Sequence, residues 1–131
     1  QALGGTVEKA AVGWGLGVGH YQLAGVTEAP LGDEDLYLHI IHQDQVISLP
    51  EGAEVLAGSA FCPNAVLRYG DSIFTVQAHP EFSVDYMHAL LAAITPQYIT
   101  QAEAERAVAS LSEQQANAKA VVGSIVSVLS A

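Results

Sequence analysis

The hydrophobic period of this chain changes once, at Glu81, and that change limits what the chain can fold into. Before Glu81, short apolar runs alternate with turn signals. Residues 6–8, 20–27, 36–41, 54–57, 65–69 and 72–77 each suit a strand. Pro50-Glu51-Gly52 and the acidic stretch 29–35 suit turns, and Gly70-Asp71 predicts a tight hairpin. After Glu81, Met87, Leu90, Leu91 and Ile94 recur at i, i+3, i+4 and i+7, the stripe of an amphipathic helix that Pro96 limits. Thr100 with Glu103 is a capping-box start for a second helix over residues 101–111. A third is expected over residues 114–129. Strands first and helices last suggest an α+β arrangement from these residues alone.

Residues 13–19 hold Gly13, Gly15, Gly17 and Gly19, interleaved with Trp14, Leu16 and Val18. Such alternation fits a strand, or a loop with close backbone approaches. It lacks the Lys-Ser/Thr of a phosphate-binding loop, so a structural role is expected.

The 131 residues fit one domain. A formal charge of −10, with only four Lys and Arg, argues against a nucleic-acid partner and against docking on anionic lipid. The longest apolar stretch, 118–129, is too short to span a bilayer and is broken by Lys119, Gly123, Ser124 and Ser127. One cysteine allows no internal disulfide, which points to a reducing, cytoplasmic setting. No basic segment followed by an apolar run opens the chain, so no signal peptide is expected. Gln1-Ala2-Leu3-Gly4-Gly5 reads as the end of a helix. The expectation is that Gln1 is a cut point in something longer.

Three places could carry chemistry. Gln77-Ala78-His79-Pro80-Glu81-Phe82 follows a strand-like run and precedes a helix. A carboxylate two residues from an imidazole can fix its tautomer and stabilise its positive charge, which suits His79 to general acid–base work. The same tripeptide also fits a plain surface loop. His39 and His42, the latter in His42-Gln43-Asp44-Gln45-Val46, form a His-x-x-His pair. A metal would need a third ligand such as His79 or Asp44. On a strand, residues three apart face opposite ways, so one histidine packs, the other lines a cleft, and no metal is expected. Cys62 has no charged sequence neighbour to lower its pKa and precedes Pro63, so it reads as structural. Spacing alone also leaves room for a nucleophile paired with His79.

Taken in order, His42-x-Asp44-x-Val46 with Leu49-Pro50, then Cys62-Pro63 and Ala65, then Val76-Gln77-Ala78-His79-Pro80-Glu81, resemble the class I glutamine amidotransferases. The GMP synthetase amidotransferase domain and its stand-alone relatives share these segments. Gln1-Ala2-Leu3-Gly4-Gly5 resembles the stretch after the family's nucleophile elbow, Gly-x-Cys-x-Gly-His-Gln. The likeness covers residues 1–95, and the last two helices look like a subgroup extension.

The resemblance implies an α/β, flavodoxin-like fold around a mostly parallel sheet. Here only its C-terminal portion would be present, with extra C-terminal helices, residues 1–131 forming part of a single domain. It implies a Cys-His-Glu triad that hydrolyses the glutamine side-chain amide through a glutamyl thioester. His79 would be the base and acid, Glu81 its orienter, and Gln43 and Asp44 substrate contacts. No cofactor is implied. The nucleophile and its elbow are absent, so this chain alone is expected to be inactive. The implied partners are glutamine or a γ-glutamyl compound, the missing N-terminal half or a complementary chain, and a synthetase subunit. A γ-glutamyl hydrolase or peptidase, or a non-catalytic regulatory module, are the alternatives.

Overall fold

Among the described residues seven strands precede Glu81 and three helices follow it, so the single change of period falls where the sequence puts it. A computed structural model describes residues 1–25 and 31–130. The strands are β1 (Thr6–Lys9), β2 (Gly15–Leu23), β3 (Leu36–His42), β4 (Asp44–Ser48), β5 (Ala53–Gly58), β6 (Val66–Tyr69) and β7 (Ile73–Val76). The helices are α1 (Val84–Ile94), α2 (Gln101–Glu113) and α3 (Lys119–Leu129). Residues 26 and 27 of the expected second strand, and 29 and 30 of the expected acidic turn, lie outside the described residues.

Five strands form one sheet in the order β3-β2-β5-β6-β7, and β1 pairs with β4 apart from it. The resemblance implies a mostly parallel sheet, but every pairing among the described residues is antiparallel. Parallel neighbours need crossovers of a dozen or more residues, usually helical. Among the described residues all the helices come after the last strand, a helix-free segment over 59–65 joins β5 to β6, and a short turn joins β6 to β7. The expected hairpin at Gly70-Asp71 forms, with Tyr69 opposite Ile73 and Gly70 at φ 55°.

The longest ladder joins β2 to β3 over seven residue pairs, Gly15↔His42 to Tyr21↔Leu36. It lies between two apolar clusters. Leu36, Leu38 and Ile40 pack with Tyr21, Leu56, Cys62, Val66 and Val121 on one face. Leu16, Val18 and Ile41 pack on the other with Met87 and Leu91 of α1 and Ala107 and Leu111 of α2. The helical stripe read at 87–94 is therefore the stripe that seats α1.

The glycine run is a strand from Gly15 onward, and Gly17 within it has φ 88°. A Cβ there would run into Ser110 Oγ and come within 2.9 Å of the Ala107 carbonyl oxygen. Glycine thus lets α2 lie directly on β2. The contact is bonded: the Val18 amide donates to Ser110 Oγ at 3.0 Å, and that hydroxyl donates to the Ala107 carbonyl at 2.7 Å. The capping box of α2 forms as read, with Glu103 Oε2 accepting from the Thr100 amide at 2.7 Å and Thr100 Oγ1 accepting from the Glu103 amide at 3.2 Å.

The third helix begins at Lys119, not at residue 114. Asn117 accounts for the difference. Its amide donates to the Tyr37 carbonyl at 2.8 Å, its Oδ1 accepts from the Tyr37 amide at 2.7 Å, and its Nδ2 donates to the Asp35 carbonyl at 2.9 Å. Two bonds to Tyr37 of β3 and one to Asp35 just before it outcompete the helix propensity of this Ala-containing stretch. No helix among the described residues is long and apolar enough to cross a membrane.

Gly17→Ala is expected to lower unfolding free energy by roughly 2–4 kcal/mol, combining positive-φ strain with overpacking under α2. Urea denaturation of the wild type and the variant measures it. An unchanged midpoint and slope would remove the close-approach argument.

Candidate active site

Beyond β7 the chain cannot continue the sheet, because it meets the edge of β3. The Gln77 amide donates to the Ala65 carbonyl at 2.9 Å, Ala78 is buried, and the His79 amide donates to the His39 carbonyl at 2.8 Å. The Phe82 amide closes a bend onto the His79 carbonyl at 3.3 Å. Ser83 Oγ then accepts from the Tyr86 amide at 3.1 Å and caps α1. His79 and Glu81 thus sit on a short bend anchored by a strand on one side and a capped helix on the other.

His79 Nδ1 lies 2.8 Å from Glu81 Oε1. An ionised carboxylate only accepts, so Nδ1 carries the hydrogen and Nε2 is left to exchange protons. The Phe82 ring stacks on the His79 imidazole at 4.1 Å and 4°, and Tyr86 tilts against Phe82 at 4.5 Å. Burial alone would raise the Glu81 pKa. The hydrogen bond and charge of His79, with a bond to its own backbone, outweigh it and hold the carboxyl below the usual glutamate range.

His39 and His42 face opposite sides of β3. His39 is buried, and its Nδ1 lies 2.8 Å from the Phe82 carbonyl oxygen. His42 is half-buried, with Nδ1 3.2 Å from the Asp44 carbonyl and its ring 6.2 Å from Phe61. Burial pushes the His42 pKa down first, the Asp44 carbonyl opposes this, and the charge of His79 depresses it further. No group of three or more His, Cys, Asp or Glu that could hold a metal occurs among the described residues.

The expected substrate contacts, Gln43 and Asp44, follow His42 at the end of β3. The Gln43 carbonyl accepts from the Ala10 amide at 2.9 Å. Asp44 is exposed and opens β4 opposite Lys9. Their backbone shapes the strand end that carries His42, but neither side chain bonds to His79 or Glu81. Sequence reasoning missed the packing of Phe82 on the imidazole and the reach of His39 to the same bend. A pocket of about 250 Å³ opens beside the bend, walled by His39, His79, Phe82, Ser83, Gln115 and Ala118.

No family model matches the chain. γ-Glutamyl peptidase 4 of Arabidopsis thaliana is 29% identical over 126 residues, 91% of this chain and 50% of that protein. The glutamine-hydrolysing GMP synthase of Porphyromonas gingivalis is 51% identical over 41 residues, 30% of this chain and 8% of that one. The crystal structure of a glutamine amidotransferase from Methylobacillus flagellatus superposes with a TM-score of 0.68 at 20% identity, covering 95% of this chain and 56% of that one. That last likeness is one of fold. The chain is similar to proteins named as glutamine amidotransferases, GMP synthases and γ-glutamyl peptidases. It spans no more than half the length of the curated relatives named here.

The single cysteine, Cys62, lies away from the surface. Cys62 is buried in the core that contains Leu38, Leu56 and Val66, with Sγ 3.6 Å from Gln77 Oε1. Burial pushes its thiol up to about 11, and a thiol in that state is a poor nucleophile at neutral pH. The structural role read from its sequence neighbours agrees with this placement.

Cys62 is accordingly expected to resist iodoacetamide at pH 7.5 in the native protein and to label fully once unfolded. Rapid native labelling, followed by mass spectrometry, would contradict its burial. For Glu81 the folded-state pKa lies below the unfolded one. Its stabilising contribution is therefore present above the unfolded value and fades as pH falls through the lowered one. The stability gap between wild type and Glu81→Gln should narrow over that acidic window. Denaturation at stepped pH checks the sign, and a gap that widens on acidification would reverse it.

Proposed function

We propose that this chain is the C-terminal part of a single amidotransferase-like domain. It would supply His79 and Glu81 to a Cys-His-Glu triad whose cysteine lies outside residues 1–131. The observation that carries the reading is the 2.8 Å bond from His79 Nδ1 to Glu81, which leaves Nε2 for proton transfer. The burial of Cys62 supports a nucleophile from elsewhere.

In this reading the cysteine thiol gives its proton to His79 Nε2 as sulfur bonds to the substrate's side-chain carbonyl carbon. His79 returns that proton to the departing nitrogen as the C–N bond breaks, leaving a glutamyl thioester. Water then adds, giving its proton to His79. The C–S bond breaks, the thiolate recovers the proton, and glutamate leaves. Glu81 holds the ring in one tautomer and stabilises its cationic form throughout. His42 and the backbone of Gln43 and Asp44 would line the substrate side. A synthetase that receives the ammonia is the partner this chemistry calls for, and a cytoplasmic setting fits it.

A γ-glutamyl peptidase is the second reading. It is favoured by a relative of that name that aligns over 91% of the chain, including most of the C-terminal helices. The two readings differ in the leaving group, ammonia in one and an amine or amino acid in the other.

In the full-length protein, His79→Ala is expected to lower kcat by at least about a hundredfold with the fold intact, and Glu81→Gln by less, about tenfold. Coupled assays for ammonia and for glutamate, run on glutamine and on a γ-glutamyl dipeptide, measure both rates and the leaving group. Wild-type turnover in His79→Ala would sink the triad. An absence of turnover in the wild type on either substrate class would favour a regulatory module.

A further inference from the structure

The bend that carries His79 is held by one residue that does no chemistry. The His39 carbonyl accepts from the His79 amide at 2.8 Å, and the His39 ring reaches the Phe82 carbonyl at 2.8 Å. The two anchor points lie three residues apart, on either side of His79 Nδ1 and Glu81. Phe82, whose carbonyl is held, is also the residue whose ring lies flat on the imidazole.

We propose that His39 is a positioning residue for His79. It pins both ends of the 79–82 bend and so sets the plane of the imidazole and its line to Glu81. The inference rests on the His79–Glu81 reading above and adds to it a residue outside the triad.

Three features argue for a dedicated role. A carbonyl oxygen only accepts, so His39 Nδ1 must carry the hydrogen and the ring is held in one tautomer. The side chain is 95% buried in the middle of β3, between Leu38 and Ile40 on the strand, so it has little freedom to swing away. Its Nε2 has no partner among the described residues. A buried nitrogen without a partner is unfavourable, and an aliphatic residue at this position would avoid it. The bond from Nδ1 to the bend is what an aliphatic residue could not make.

Three variants of the full-length protein separate positioning from packing. His39→Asn keeps an N–H donor near the place of Nδ1–H. His39→Gln carries the same amide one carbon further out, and His39→Leu has no donor. The Glu81 carboxyl is titrated by carbon-detected NMR, and kcat and KM are measured with the better substrate. In Leu and Gln, kcat is expected to fall by up to about a hundredfold with KM little changed, as for a displaced catalytic group. The Glu81 pKa should also rise towards the ordinary glutamate value as its bond to His79 loosens. Asn should restore both towards wild type. Equal loss in Asn and Gln, or an unmoved Glu81 titration in Leu, overturns the proposal. If Leu does not fold, the Asn–Gln comparison decides alone. The NMR readout stands apart from turnover: a failed triad leaves His79→Ala active, whereas failed positioning leaves the Glu81 titration indifferent to residue 39.

Discussion

The seven-pair ladder between β2 and β3 is the interaction on which the rest of this structure depends. It is the wall between two apolar clusters, and each cluster needs it. Tyr21, Leu36, Leu38 and Ile40 are buried on one side. On the other, Leu16, Val18 and Ile41 receive α1 and α2. A strand pair buried on both faces tolerates little change of register, because a one-residue slip would exchange the two sets of side chains. The glycines of β2 belong to the same constraint. Gly17 lets the helix lie on the strand, and Gly15 leaves room for Phe61, whose ring would stand 2.8 Å from a Cβ there.

The candidate site is a product of that wall. β3 ends at His42, carries His39 at its middle, and presents its outer edge to the bend that follows β7. Three histidines from two distant stretches of sequence therefore gather at one place, with different environments. His79 is partly open and paired with a carboxylate, His42 is half-buried and held towards its neutral form, and His39 is sealed in. Like groups in one small region thus meet unlike surroundings.

Much of this was legible in the residues. Most strand runs, the Gly70 turn, the stripe of α1 and the capping box of α2 depend on neighbours within a few positions, whereas the run expected over 20–27 is displaced, its strand spanning Gly15–Leu23. The His79-x-Glu81 bond was also readable, since two residues across a proline limit where a carboxylate can go. What was not legible depends on partners far along the chain. Residues 114–118 look helical until Asn117 meets Tyr37, eighty positions earlier. β4 was read as a polar cluster because its pairing strand lies at the other end of the sheet region, at β1. The His39 contact was invisible for the same reason. His-x-x-His spacing says that two rings diverge, and it does not say that one of them will meet the Phe82 carbonyl.

Asn117 has a consequence beyond shortening a helix. Strand β3 is a sheet edge, and an exposed edge is a template for strands from other chains. Along it, the Tyr37 amide and carbonyl are both taken by Asn117, and the His39 carbonyl is taken by His79. Outward-facing groups recur at every second residue, so any strand laid along this edge would have to displace one clasp or the other. Addition of a strand from a copy of this chain is thereby opposed at this edge. One of the two clasps that refuse the intruding strand, the His39 carbonyl bonded to His79, also keeps the bend of His79 in place.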